Sequence, residues 1–438
     1  MIYRFFHLNP ENVHDRNAYY LVVELFWASI LGSAATFNAA FALRLGATNA
    51  DIGLLSSLPA LLAVLISIPA GRILSSKTQR KPWILWPLFF NRLGYLLVAL
   101  VPWLNMLHIP LGSLTVAIFV LIGIPAHFFN VGWMPLLADV VPERKRAGLV
   151  TARMMINNAT VSLFNFLFGQ ALSHILFPYN YVALYLVGFL ASMISMICLL
   201  KIQVPESRPV PPRPAAPREP GVSAIGTLKL KIWGAPALLR QTIHDYPGLA
   251  RMIMNTVLHG LGLWLASPLY ILYYVRTLGA SDAWIGLQGT LSTLAMIIAT
   301  PFWRRIMQKW GKPNTLKYTI ILMGLLPVGV SLLPDLTLIL VVIAIYSLVA
   351  PAVNLSHFTT LLDVTPEENR PIFTSWYISV VNIAAFVSPM IGVVIADWIG
   401  LRVTLFLCGL LSCLGSCSFW VWPVQKAENP LPEEAAAA

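Results

Sequence analysis

The sequence predicts an all-α integral membrane protein, with twelve transmembrane helices arranged as two related six-helix bundles. Three observations carry this expectation. Of the 438 residues, 58% are hydrophobic and 11% are charged, whereas a soluble chain carries roughly 25% charged residues. Twelve apolar runs reach the ~20 residues that a hydrocarbon core of about 30 Å requires of a spanning helix. A polar phrase then occurs twice between such runs, as DVVPERKRAGLVT from Asp139 and DVTPEENRPIFT from Asp363.

The runs lie at 17–43, 52–73, 82–104, 111–137, 150–176, 179–201, 249–274, 283–303, 314–334, 337–361, 372–396 and 402–422. The first is too long and too poorly flanked for a cleaved signal peptide. The formal net charge of +11 is unevenly spread. With twelve spans, 25 of the 29 Lys and Arg residues fall on one side, three (Arg44, Arg276 and Arg402) fall on the other, and Arg92 lies within a span. Such a bias sets orientation. It places both termini in the cytoplasm, in keeping with a multi-pass protein of the bacterial cytoplasmic membrane, and it removes nucleic acid as the reason for the basic charge. Cys198, Cys408, Cys413 and Cys417 all fall inside spans, so no disulfide framework is expected. Small apolar packing accounts for the last three better than a metal site does, and no metal or cofactor is expected.

One internal boundary stands out. VPESRPVPPRPAAPREP, from Val204 to Pro220, has seven prolines in seventeen residues, which neither a helix nor a central strand tolerates. The next stretch, LKLKIWGAPALLRQTIHD from Leu228 to Asp245, mixes apolar and basic residues as membrane-surface segments do. The expected domains are therefore a bundle over 1–202, a cytoplasmic linker over 203–247, and a second bundle with a short tail over 248–438.

The two bundles are copies. Asn130, Asp139, Pro142, Glu143, Arg146 and Asn158 recur at identical intervals as Asn354, Asp363, Pro366, Glu367, Arg370 and Asn382. A second echo pairs LGATNADIGL from Leu45 with LGASDAWIGL from Leu278, and basic loops follow in each half, TQRKP from Thr78 and KWGKP from Lys309. Two echoes in the same order mark a duplicated six-span unit.

This six-plus-six pattern with a long central linker resembles the major facilitator superfamily over roughly residues 17–422. In the family's loop between spans two and three, a glycine, an acid and a basic-x-glycine-basic cluster recur. Here Gly71, Arg80 and Lys81 match, while Ser75 stands for the acid and Thr78 for the second glycine. The second copy keeps Lys309, Gly311 and Lys312, with Arg304 and Gln308 at the glycine and acid places. The Asp-x-x-Pro-Glu-x-x-Arg element resembles the family's short loops before spans five and eleven. The resemblance implies two bundles rocking about a midplane site, driven by an ion gradient.

Candidate residues follow. Asp139, Glu143, Arg146, Asp363, Glu367 and Arg370, with Arg80, Lys81, Lys309 and Lys312, stand at the cytoplasmic mouth. Either they gate by tying helices in one state, or they cap helix ends. In the second copy Thr365, Pro366 and Glu368 spell a capping box. Glu24 and Arg92 are ionisable groups inside spans, where charge is expensive and functional by default. They either pair as a structural bridge or couple transport to protons through Glu24, as first-span acids do in branches of the family. Asn130 and Asn354 each lie nine residues before a cytoplasmic aspartate, about 13 Å at 1.5 Å per residue. That depth, with His127 and His357 nearly one turn away, suits substrate binding on spans four and ten, or bonding between helices within a half. Asn255 and His259 in span seven join the substrate candidates. Tyr273 and Tyr274 are either an interfacial belt or an outer gate.

The sugar-porter and drug-antiporter signatures are incomplete. Walker A, Gly-x-Ser-x-Gly and His-Glu-x-x-His motifs are absent from the sequence, so neither ATP hydrolysis nor an enzyme is expected. The reading is a monomeric, proton-coupled secondary transporter of a small organic solute, with the bilayer and a proton gradient as its partners. Two alternatives stand beside it: a non-transporting scaffold or sensor of the same fold, and a carrier of lipids or other hydrophobic molecules.

Overall fold

The computed structural model describes residues 11–77, 79–204, 246–365 and 370–424. The proline-rich linker, the Leu228–Asp245 stretch, Glu367 and the proposed cap at Pro366 and Glu368 lie outside the described residues. Thirteen α-helices occur among those described. In the first half α1 (Val13–Ala35) and α2 (Asn38–Arg44) form one interrupted span, followed by α3 (Asn49–Ser75), α4 (Lys81–Leu100), α5 (Leu111–Val140), α6 (Glu143–His174) and α7 (Tyr179–Leu200). In the second half come α8 (Pro247–Leu272), α9 (Asp282–Trp310), α10 (Lys312–Leu332), α11 (Leu336–Val364), α12 (Arg370–Ile399) and α13 (Leu401–Val421). A 3₁₀ turn, Val101–Leu107, extends α4, and a π turn, Tyr273–Thr277, extends α8.

Eleven of these spans are long and apolar enough to cross a bilayer. The remaining one, α6, has 32 residues but carries Arg153, Asn157, Asn158 and Asn165 along its length. A helix this polar is tolerated in a membrane where neighbouring helices satisfy it, and α6 is packed between α1 and α9.

The packing repeats as the sequence does. In the first half α1 packs on α6 and α7, α5 on α3 and α4, and α4 on α7. In the second half α8 packs on α12 and α13, α11 on α9 and α10, and α10 on α13. The halves meet along two seams, α6 with α9 and α3 with α12, which are equivalent under the same exchange of halves.

The second sequence echo is now accounted for. Gly46 and Gly279 have φ of +87° and +66°, the left-handed conformation that a side chain disfavours. Two residues later Thr48 caps α3 and Ser281 caps α9, each side-chain oxygen accepting a backbone N–H of the first turn. Each half thus turns from its first span into its second by the same device, at the face opposite residues 11 and 424, where the described chain begins and ends. That face is called the far face below, and the other the terminal face.

At the far face the α6–α9 seam is closed to backbone contact. A Cβ on Gly286 would lie 2.3 Å from the Asn165 carbonyl oxygen and 2.8 Å from Gly169 Cα. Neither backbone atom can move aside cheaply. Gly286→Ala is therefore expected to destabilise the protein by about 1–3 kcal/mol, the usual effect of overpacking. Gly148→Ala, where a Cβ meets nothing within 4 Å, should change stability by under about 0.5 kcal/mol. Thermal unfolding of the two variants in one detergent checks both, and equal melting temperatures would contradict the close seam.

Candidate functional site

The far face holds a clasp between the halves. Arg44, at the end of α2, reaches Asp282 at the start of α9 (3.2 Å), and the Tyr181 hydroxyl donates to the same carboxylate oxygen at 2.7 Å. Asp282 and Tyr181 are buried, while Arg44 is about a third exposed. The reciprocal grip comes from the second half: Arg276, beyond α8, donates to the Asn49 side chain and to the Ala47 carbonyl (2.5 Å). Asn49 in turn donates to Asp397 at 2.6 Å. Asn49 and Asp282 occupy the same place in the LGATNADIGL and LGASDAWIGL echo. Each half thus offers an arginine from the end of its first span to the helix start of the other half's second span.

Below the clasp the seam holds a two-way bond, Thr290 Oγ1 to the Ser162 carbonyl (2.9 Å) and Ser162 Oγ to the Thr290 carbonyl (3.4 Å). Closer to the terminal face α6 changes character, and Met154 and Met155 are 61% and 68% exposed.

At the terminal face the ties stay within each half. Arg80 meets Asp139 at 3.7 Å in the first half, and Lys312 meets Asp363 at 2.8 Å in the second. The structure thus brings together the basic loops and the duplicated aspartates, at equivalent places. These pairs are 29–42% exposed, so each contributes at most about 1 kcal/mol. Arg146 bonds the Val141 and Ala138 carbonyls at 2.9 and 2.8 Å, which satisfies the end of α5. Lys81 does the same for α7 through the Leu200 and Ile202 carbonyls at 2.8 and 2.6 Å. Glu143 and Lys309 are exposed. Arg370 begins α12, and its side chain, like Glu367, lies outside the described residues.

Glu24 and Arg92 do meet, inside the first half. Glu24 Oε2 lies 3.1 Å from Arg153 Nη1, and Glu24 Oε1 lies 3.9 Å from Arg92 Nη2. Ser195 on α7 closes the ring, donating to Glu24 at 3.0 Å and accepting from Arg92 at 2.7 Å. Arg153 also donates to the Leu21 carbonyl and lies 4.4 Å from the centre of the Trp133 ring. All three charged groups are buried, and Arg92 Nη1 has no hydrogen-bond partner. The cluster joins α1, α4, α6 and α7 and holds two cations for one anion.

Arg153 went unrecognised in the sequence because the charge count placed it with the cytoplasmic loops. Its signal was its position ten residues into α6, past the RKR cluster. Asp282, Tyr181 and Asn49 were also missed, although the second echo marked two of them.

The asparagines divide. Asn130 on α5 and Asn354 on α11 are exposed. On α5, Ile124 and Phe128 line a groove shared with α3 and α4, and at 3.6 residues per turn Asn130 falls on a different side of the helix. Asn354 stands likewise to Leu348, at the end of the exposed stripe Leu338, Val341 and Ile345. His127 is half-buried, and His357 Nε2 is 2.9 Å from Thr256 Oγ1 and 3.4 Å from the Tyr377 hydroxyl.

Asn255 and His259 instead turn toward α13. Asn255 donates to the Trp422 carbonyl at 3.0 Å, and His259 Nδ1 pairs with Ser416 and Ser412 at 2.8 and 3.2 Å. Tyr273 and Tyr274 are buried rather than at an aqueous surface, Tyr274 against the edge of Trp284 at 4.9 Å. They belong to the packed layer beneath the clasp, together with Ala42, Ile52, Leu269 and Leu272.

This architecture has known counterparts. A bacterial homologue of the iron transporter ferroportin in an inward-facing state superposes with a TM-score of 0.70 at 14% identity, covering 94% of this chain and 99% of that one. A bacterial homologue of the human lysosomal transporter Spinster, inward-facing and unoccupied, gives 0.65 at 13% identity with 95% and 99% coverage. A POT family transporter bound to a thioalcohol-conjugated peptide gives 0.68 at 13% identity with 93% and 96% coverage. At such identities the likeness speaks to the fold alone. No curated protein matches the sequence. The Major Facilitator Superfamily model matches residues 20–244 and 252–438, and the chain belongs to that family of membrane transporters.

Proposed function

We propose that this family member is an alternating-access, proton-coupled transporter of a small polar organic solute, working as a monomer with both termini in the cytoplasm. The observation that carries the reading is the one-sided fastening of the halves. Reciprocal arginine clasps and an apolar layer drawn from both halves join them at the far face, whereas among the described residues the ion pairs of the terminal face each stay within one half. With the termini cytoplasmic, this is an inward-open arrangement. Its reversal requires the clasp to open while the repeated loop pairs travel with their own bundles.

Asn130 and Asn354 are the proposed solute contacts, since duplicated, exposed amides on equivalent helices face away from the outer stripes of those helices. His127 and His357 flank them. Asn255 and His259 are assigned a supporting role, holding α8 against α13 so that α8 moves with its bundle. Glu24 is the proposed proton site, and here it acts through its two arginines. Coupling requires protonation of Glu24 to loosen its hold on Arg153, the residue that links the cluster to α6 and so to the α6–α9 seam.

Three outcomes are expected. In a background lacking the four native cysteines, spin labels at Leu176→Cys and Trp398→Cys report the far-face separation. Asp282→Asn should shift the closed-to-open ratio about tenfold, equivalent to about 1.4 kcal/mol, and an unchanged distance distribution would count against the clasp. A thermal-shift screen of sugars, amino acids, organic anions, nucleosides and lipophilic cations should yield a stabilising ligand. A solute at a hundredfold over its Kd adds about 2.7 kcal/mol. Asn130→Ala or Asn354→Ala should weaken that ligand several-fold, in line with about 1 kcal/mol for a lost hydrogen bond, and undiminished binding in both variants would remove the assignment. Glu24→Gln is expected to lower stability, by about 3–5 kcal/mol when a buried pair is broken from one side. It should also abolish the pH dependence of ligand binding; a stability loss with the pH dependence intact would make the cluster structural only.

A further inference from the structure

Away from the seams, α3, α4 and α5 enclose an apolar groove of about 650 Å³, within the size range of small-molecule sites. Ile73, Trp83, Trp86, Phe90, Pro125 and Phe128 are among its walls. Pro82, Pro87 and Pro125 contribute to it, and proline rings are too compact to fill the space between long neighbours. Trp86 stacks on Phe90 with ring centres 6.1 Å apart, leaving a flat aromatic wall. The groove starts at the first turn of α4, at the terminal face, and runs to Phe90, about 12 Å further along at 1.5 Å per residue. It lies outside the inter-half seams, because α4 packs on α5 and α7 of its own half.

The mouth of this groove is cationic. Three bases crowd the loop from α3 into α4, and two of them are committed: Arg80 to Asp139 and the Leu74 carbonyl, and Lys81 to the Leu200 and Ile202 carbonyls. The third, Lys77, has its ammonium 4.2 Å from the centre of the Trp83 ring. No ion pair engages it among the described residues. An indole face attracts the cation but leaves its N–H groups pointing outward, ready for an anionic oxygen. A charge at the headgroup level above an apolar slot that descends into the hydrocarbon matches one class of molecule, with an anionic head joined to a fatty chain.

We propose that this groove is a specific site for an anionic phospholipid, with the phosphate on Lys77 and an acyl chain along Trp86 and Phe90. The site is independent of the transported solute and does not rest on the transport reading. Bound lipid would brace α4 against α3 and α5, the three helices that Arg80 also ties through Asp139 and the Leu74 carbonyl. Lys77 is half-buried and Trp86 largely exposed, so substitution of either leaves the core intact.

The test uses the purified full chain in neutral-lipid nanodiscs, with dioleoyl phosphatidylglycerol titrated against dioleoyl phosphatidylcholine. Native mass spectrometry counts retained lipid, and thermal unfolding follows its effect. The wild type should retain one phosphatidylglycerol in preference to phosphatidylcholine and gain several degrees in Tm. Lys77→Glu should lose at least tenfold in that preference, Lys77→Arg should keep it, and Trp86→Ala should lose retention of both lipids. Arg144→Glu, which removes an exposed base on the same face, should leave the preference unchanged. Equal retention of the two lipids by the wild type would overturn the proposal, as would a preference that survives Lys77→Glu or falls equally in Arg144→Glu. A full stabilising effect from glycerol phosphate without acyl chains would overturn it too, since the groove would then have no part in binding.

Discussion

A hydrocarbon core offers no hydrogen bonds, so every polar group carried into it must find its partner in the protein. Most of what distinguishes this chain follows from that constraint. The helical spans satisfy their own backbones, and the serines and threonines within them largely bond back to carbonyls one turn earlier, as Ser29, Thr256 and Ser356 do. The ionisable residues could not be accommodated so locally. Glu24 gathers Arg92, Arg153 and Ser195 from three other helices, and that gathering fixes α1, α4, α6 and α7 against one another. The least apolar of the long helices, α6, is possible only because its polar residues meet Glu24 on one side and α9 on the other.

On the proposed alternating-access reading, the same constraint lets a duplicated chain hold two arrangements. A half that pairs its own buried charges can move as a body, and here Glu24, Arg92 and Arg153 meet inside the first half, with Arg92 Nη1 left without a hydrogen bond. Between the halves lie the two helix seams and, at the far face, a clasp of two arginines, two aspartates and an asparagine, the close approach of Gly169 and Gly286, and an apolar layer drawn from both halves. On the proposed reading, the far-face contacts open while the core of each half stays packed. The reciprocity of the clasp reflects the duplication directly, because both grips come from the same turn between first and second spans.

Surface features divide along similar lines. The repeated loop pairs, Arg80 with Asp139 and Lys312 with Asp363, are half-exposed and individually weak, and each holds helix ends in register within its own half. The arginine and lysine that finish α5 and α7 act on backbone carbonyls, which sequence spacing does not reveal. Lys77 is left over from this arrangement, its ammonium lying over Trp83 at the edge of the aromatic groove.

The sequence by itself determined the number of spans, their approximate limits and the duplication, because each is written in composition, in run length and in two echoed phrases, and its loop motifs carried the resemblance to the family. It also singled out Glu24, Arg92 and the paired asparagines, since polar letters inside apolar runs are conspicuous. Only the tertiary structure decided which partners those letters take. It turned Asn255 and His259 toward α13, joined Glu24 to an arginine whose depth in α6 could not be read from the basic cluster before it, and made a clasp of Arg44 and Asp282, 238 positions apart. The physical reason is that run length and hydropathy report the environment of a segment, whereas a partner is chosen by helix rotation and by which face a neighbour presents. Those are settled only when all the spans pack together.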